Sequence, residues 1–249
     1  MNTYVGAMAN LRPEHLALIH KAQAVLGREV TLKAWDLFVK TGLIFPGSGD
    51  RWEMWGDKNP DGTSRGPVPH SLVVCWAQIT LATKLGLSPE KVIRLGTAGF
   101  GHDAFKREEI ESGDSEGTHQ KAGAELTELF GSEVAALAEM SGHTAMPAVL
   151  ARLGEVSVQV AFWVDNAVVG TELKPAAAKC DYLDRAAQPD PVTSKVRYQY
   201  NNLGVKIYGV PFFTFQRHLA CTLEAALALG LGIQPTTTLA DRLNQWMKE

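Results

Sequence analysis

The chain has 249 residues, of which 45% are hydrophobic and 20% charged, with a formal net charge of -3. This length and apolar content suffice for a substantial core, and the near balance of charge argues against a nucleic-acid partner held by bulk electrostatics. No apolar run approaches the roughly 20 residues of a membrane span. The N-terminus lacks the basic start and apolar middle of a signal peptide, and the scattered Cys75, Cys180 and Cys221 fit reduced thiols, so a cytoplasmic protein without membrane contact is expected.

Helical periodicity dominates. Leu11 to Gly27 and Thr31 to Phe45 read as helices. Gly, Pro, Asp and Asn then break the pattern, so Pro46 to Pro69 reads as a long loop, of a length that is often functional. Trp52 and Trp55 within it are read as packing it onto the core. A helix follows from His70 to Leu85. Another opens at Ser88-Pro89, an N-cap followed by proline at the first helical position, and runs to about Gly101. Residues 104–117 are polar and read as loop. Helices are expected at 119–130, 132–142, 154–171 and 175–187. Residues 188–210 read as irregular, with enough strand character in Val196 to Val210 for a small hairpin. Helices at 211–230 and 239–247 complete the chain. The expectation is one all-α domain over 1–249, with a core at about 67–187, N-terminal helices and a loop in 1–66, and a C-terminal extension in 188–249.

Several ionisable residues fall on apolar stripes. His70 shares a helix face with Val74, Ala77 and Leu81. In the next helix Val92, Leu95 and Gly99 lead on the same stripe to the adjacent pair His102-Asp103. Asp165 has Ala161, Phe162, Val168 and Val169 one turn away on either side. A charge buried in such surroundings costs several kcal/mol unless something pairs with it. Two imidazoles and two carboxylates would suit a divalent metal such as Mn, Fe, Co, Ni or Zn; a hydrogen-bonded core histidine and a buried ion pair at Asp165 are the plainer alternatives. Gly96, Gly99 and Gly101 each cost the helix on the order of 1 kcal/mol against alanine, a cost that close approach of a neighbouring helix or a ligand would explain.

The order His70, His102-Asp103, Asp165, in the contexts "VPHSLVVCWAQITLATKLGLSPEKVIRLGTAGFGHDAFK", "HQKAGAELTELFG" and "KPAAAKCDYLDRA", resembles the HD-domain superfamily over about residues 67–187. The resemblance implies an all-helical core around one or two divalent ions (Mn, Fe, Co, Ni, Zn or Mg), with His70, His102, Asp103 and Asp165 binding the first. In members with two metals, histidines between the pair and the final Asp bind the second, and His119 and His143 hold those places here, with Asp103 bridging. Most members hydrolyse phosphate esters, so the implied activity is metal-dependent hydrolysis of a small phosphorylated substrate such as a nucleotide or cyclic nucleotide. Asp103 and Lys106 would be its catalytic residues: Lys106, one turn past the pair, could neutralise a phosphoryl oxygen. Arg65, Lys121 and Arg217 are further anion-binding candidates, while Glu108, Glu109, Glu111 and Asp114 read mostly as surface charge. A smaller group of relatives, resembling myo-inositol oxygenase, uses the same ligand order for a di-iron centre that cleaves carbon bonds. A non-catalytic ligand-binding domain is the third alternative.

Overall fold

The structure is a computed structural model that describes residues 3–48, 51–56, 58–63, 65–141, 146–186, 195–234 and 236–249. Its class is all-α, and the chain divides into two compact units, 1–161 and 162–249.

The first unit contains α1 (Thr3–Met8), α2 (Pro13–Leu26), α3 (Arg28–Lys40), β1 (Ile44–Pro46), β2 (Trp52–Met54), α4 (Pro67–Lys84), α5 (Pro89–Gly101), α6 (Lys106–Ser112), α7 (Ser115–Phe130), α8 (Ser132–Glu139) and α9 (Met146–Ala151). The unit boundary falls within α10 (Val156–Ala167). The expected long loop carries a short antiparallel pair, with Ile44 opposite Met54 and Pro46 opposite Trp52. Trp52 lies against Gly6 of α1, and its carbonyl accepts from the side-chain Nδ2 of Asn10, so this tryptophan packs the loop against α1 and the residues that follow it. Further on, Asp61 Oδ1 accepts from the Thr63 amide at 3.0 Å and from its hydroxyl at 2.6 Å, which closes a turn that Arg12 joins through Thr63 Oγ1 at 3.1 Å. Gly66 and Pro67 start α4 three residues before His70, because proline fits the first turn without losing a hydrogen bond.

The centre of this unit is the α4–α5 pair. In α4, Leu72, Val74, Cys75, Ala77 and Leu81 are fully buried. The Ser88 hydroxyl accepts from the Lys91 amide and starts α5 where the sequence places it. The glycines of α5 permit close contact with a helix: a Cβ on Gly96 would lie 2.5 Å from Ile79, and one on Gly99 would lie 2.6 Å from Gln78 Oε1 and 3.1 Å from the Cys75 Cα. Residues 106–112, expected as loop, form α6 instead. Its pattern has little apolar periodicity, but Lys106–Glu109 and Arg107–Glu111 pairs at 2.9 and 2.8 Å lie at helical spacing. Gly113 at φ +69° ends α6, and the Asp114 carboxylate caps α7 by accepting from the Gly117 amide at 2.9 Å.

In the second unit the helix expected over 154–171 stops at Ala167. Gly170 at φ +63° turns the chain back, and β3 (Val168–Val169) pairs with β4 (Glu172–Leu173). Then come α11 (Ala176–Ala186), α12 (Lys195–Tyr208), α13 (Phe212–Gly230) and α14 (Leu239–Trp246). The irregular stretch and hairpin expected within 188–210 are replaced by α12 from residue 195 onward. Asn201, Gly204 and Tyr208 face α13: Asn201 Oδ1 accepts from the Phe213 amide at 3.1 Å, Gly204 meets the Phe212 backbone, and Tyr208 stacks on Phe215 at 4.3 Å. That face is helical in spacing but not apolar, while Leu203, Val205 and Ile207 are exposed, which is why the apolar pattern misleads. Among the described residues no helix is long and apolar enough to cross a membrane.

Candidate metal centre

The antiparallel crossing of α4 and α5 brings His70 and His102 together. Successive contacts Gly96 with Ile79 and Gly99 with Cys75 move toward the start of α4 as α5 advances. They end with the two imidazole rings 5.3 Å apart. The His102 side chain is almost fully buried, and its Nδ1 lies 2.8 Å from the Gly99 carbonyl oxygen. A carbonyl only accepts, so Nδ1 carries a proton, and Nε2 is the ring atom through which His102 would bind an ion. Nε2 of His102 lies 3.7 Å from Asp103 Oδ2, and Nε2 of His70 lies 3.8 Å from the same oxygen.

Those separations are too long for hydrogen bonds. They fall inside the ~4.2 Å that two atoms bound at ~2.1 Å to one ion can span. One ligand atom from each of His70, His102 and Asp103 lies within 4.8 Å of the others, so the group could hold a metal ion. Two nitrogens and one oxygen suit a borderline or harder divalent ion, and the Gly99 carbonyl, by holding Nδ1 of His102, fixes the ring orientation that such a ligand needs.

The remaining expected residues are placed as follows. Lys106 donates to Glu109 Oε2 at 2.9 Å, and Glu109 Oε1 lies 3.9 Å from His119 Nε2 on α7. His119 is thus beside Glu109 and outside the ligand group of the other three residues. His143 lies outside the described residues. Asp165 belongs to the second unit and is 5% exposed, as its apolar helix suggests. There Lys179 Nζ donates to its Oδ2 at 2.9 Å and to its main-chain carbonyl at 2.6 Å. That carbonyl is among the last four of α10, which have no helical partner. One lysine therefore caps the helix and balances the buried carboxylate.

Sequence reasoning missed Lys179, which comes 14 residues after its partner across the β3–β4 turn. It also missed the neighbouring network, in which Asn166 Oδ1 accepts from Gln216 Nε2 at 2.8 Å and Asn166 Nδ2 donates to the Phe162 carbonyl at 2.8 Å. Burial pushes the Cys180 thiol up to about 12 and raises that of Cys75 as well, so neither supplies a thiolate nucleophile at neutral pH.

The other anion-binding candidates differ. Lys121 binds both oxygens of Glu108, at 2.8 and 2.7 Å, Arg217 pairs with Asp181 at 2.9 Å, and Arg65 is exposed. An open cleft beside α6, lined by Lys40, Gly42, Arg107 and Glu111, has its cations engaged by protein. Lys40 meets Glu125 at 2.6 Å, and Arg107 meets both Glu111 and the Gly42 carbonyl at 2.8 Å.

Compared with protein-family models, with curated proteins and with solved structures, the chain matches none.

Proposed function

We propose that the chain is a metal-dependent phosphohydrolase acting on a small phosphate ester, with a divalent ion held by His70, His102 and Asp103. The observation that carries the reading is the convergence of these three side chains, with the His102 proton fixed on Nδ1 by the Gly99 carbonyl. When bound, such an ion supplies Lewis acidity and lowers the pKa of its water toward 7. The protein's own part is to hold two imidazoles and one carboxylate in a largely buried frame, and to bring a cation, Lys106, one turn after Asp103. A fixed positive charge there can meet negative charge that accumulates on a phosphoryl group. The ligand role that the HD-domain resemblance gives Asp165, and the second-metal role it gives His119 and His143, rest on the sequence alone.

The test is phosphate release from nucleotides, cyclic nucleotides and phosphate monoesters, run anaerobically with Mn or Co, together with the metal content of the purified protein. Activity and most bound metal should disappear in Asp103→Ala, and Lys106→Ala should lose roughly 10²-fold in rate. Full metal occupancy in Asp103→Ala would refute the assignment. An inert panel combined with bound iron and oxygen uptake on adding a small polyol would replace hydrolysis by oxygenation.

A further inference from the structure

Glu109 stands apart from its acidic neighbours on α6. Glu108 is committed to Lys121 at 2.7 Å and Glu111 to Arg107 at 2.8 Å. Glu109 is more buried than either, with its side chain 19% exposed, and its two oxygens face different groups. Oε2 holds Lys106 Nζ at 2.9 Å, and Oε1 lies 3.9 Å from His119 Nε2. The first distance is a charge-assisted hydrogen bond. The second is too long for one, yet within the ~4.2 Å that two donors to a common ion can span.

We propose that Glu109 couples the binding of a divalent cation at His119 to the binding of an anion at Lys106. While the carboxylate holds Lys106, the lysine charge is cancelled, and a phosphoryl oxygen must displace a carboxylate to reach it. A cation shared by Glu109 and His119 draws the carboxylate charge to itself and repels Nζ, which turns the lysine toward an incoming anion. The anion in turn favours the cation, because coupling between two ligands is reciprocal. Glu109 is thus a positioning residue that makes the lysine available when the cation is present. The inference rests on reading Lys106 as the anion contact, and adds a residue and a direction of coupling to it.

The experiment titrates inorganic phosphate into the full chain, metal-free and with Mn²⁺, and counts bound Mn²⁺ by electron paramagnetic resonance. In metal-free protein, Glu109→Gln should bind phosphate about fivefold more tightly than the parent, the scale of a partly exposed ion pair. A further Lys106→Met change should abolish that gain. Glu109→Gln should also bind one Mn²⁺ fewer, and its phosphate affinity should respond less to Mn²⁺. Glu109→Ala checks that the Gln carboxamide is not itself holding Lys106. Unchanged phosphate affinity in both metal-free Glu109 variants, or an unchanged Mn²⁺ count, would overturn the coupling. Asp103→Ala, titrated in parallel, reports separately on the His70–His102–Asp103 reading: full Mn²⁺ content there would refute that centre, whereas the metal-free comparison of the Glu109 variants would stand.

Discussion

Gly99→Ala adds one methyl group where α5 meets the backbone of α4. Its Cβ would lie 2.6 Å from Gln78 Oε1, 3.0 Å from Gln78 Cδ and 3.1 Å from the Cys75 Cα. Gln78 is 0% exposed, so its side chain has no route to solvent, and the Cα is backbone, so the helices themselves must separate. Overpacking of this kind costs about 1–3 kcal/mol. The better helix propensity of alanine returns at most about 1 kcal/mol, and less near the end of α5. The net expectation is a loss of about 1–2 kcal/mol, or roughly 0.5 M in the urea midpoint. Gly123→Ala is the control, since nothing lies within 4 Å of its Cβ in the middle of α7, and it should gain up to about 1 kcal/mol. Urea unfolding of both variants reads the two signs. Cobalt titration should show weaker binding by Gly99→Ala alone, because the Gly99 carbonyl orients His102. A Gly99→Ala protein as stable as the parent, with unchanged cobalt affinity, would refute this account of how the helix contact builds the site.

Lys179→Met leaves the Asp165 carboxylate buried without that counter-charge, and should cost about 3–5 kcal/mol in urea unfolding. A double Lys179→Met/Asp165→Leu change should recover much of the loss, which a purely steric effect would not. Burial lowers the pKa of His15, which is 3% exposed, below its ordinary 6.5. The unfolded chain therefore binds the proton first, so stability is full above about pH 6.5 and is lost as pH falls toward the lower folded value. His15→Leu should flatten that acid slope, measured as urea midpoints across the range.

The cluster of His70, His102 and Asp103 was legible because its signals are local. Ser88 and Pro89 set the start of α5, and the three-four spacing carried the stripe to His102 and Asp103. The glycine-rich approach was legible too, and the structure shows that a helix, α4, makes use of it. What the sequence did not disclose depends on partners distant in the chain or on faces without apolar residues. α12 contacts α13 through Asn201, Gly204 and Tyr208, which no hydrophobic count detects. α6 has one large apolar residue, Ile110, and it is 58% exposed. Glu109 read as one more surface charge because only the fold sets it between Lys106 and His119. The buried charge of Asp165 was legible, but not Lys179 as its partner, since a lysine on a following helix carries no mark of where it will point.

The Lys179 contact also bears on the order in which the second unit assembles. It joins residues 14 apart, whereas the Asn166–Gln216 bond joins residues 50 apart. Closing a loop costs entropy that rises with the logarithm of its length, and the contacts across a shorter loop form sooner. The end of α10, the β3–β4 turn and α11 therefore make a local element that can close on itself first, with Lys179 as its clasp. On this reasoning α13 meets a surface whose polar groups are already oriented, and the bond from Gln216 to the fully buried Asn166 forms after the Lys179 contact.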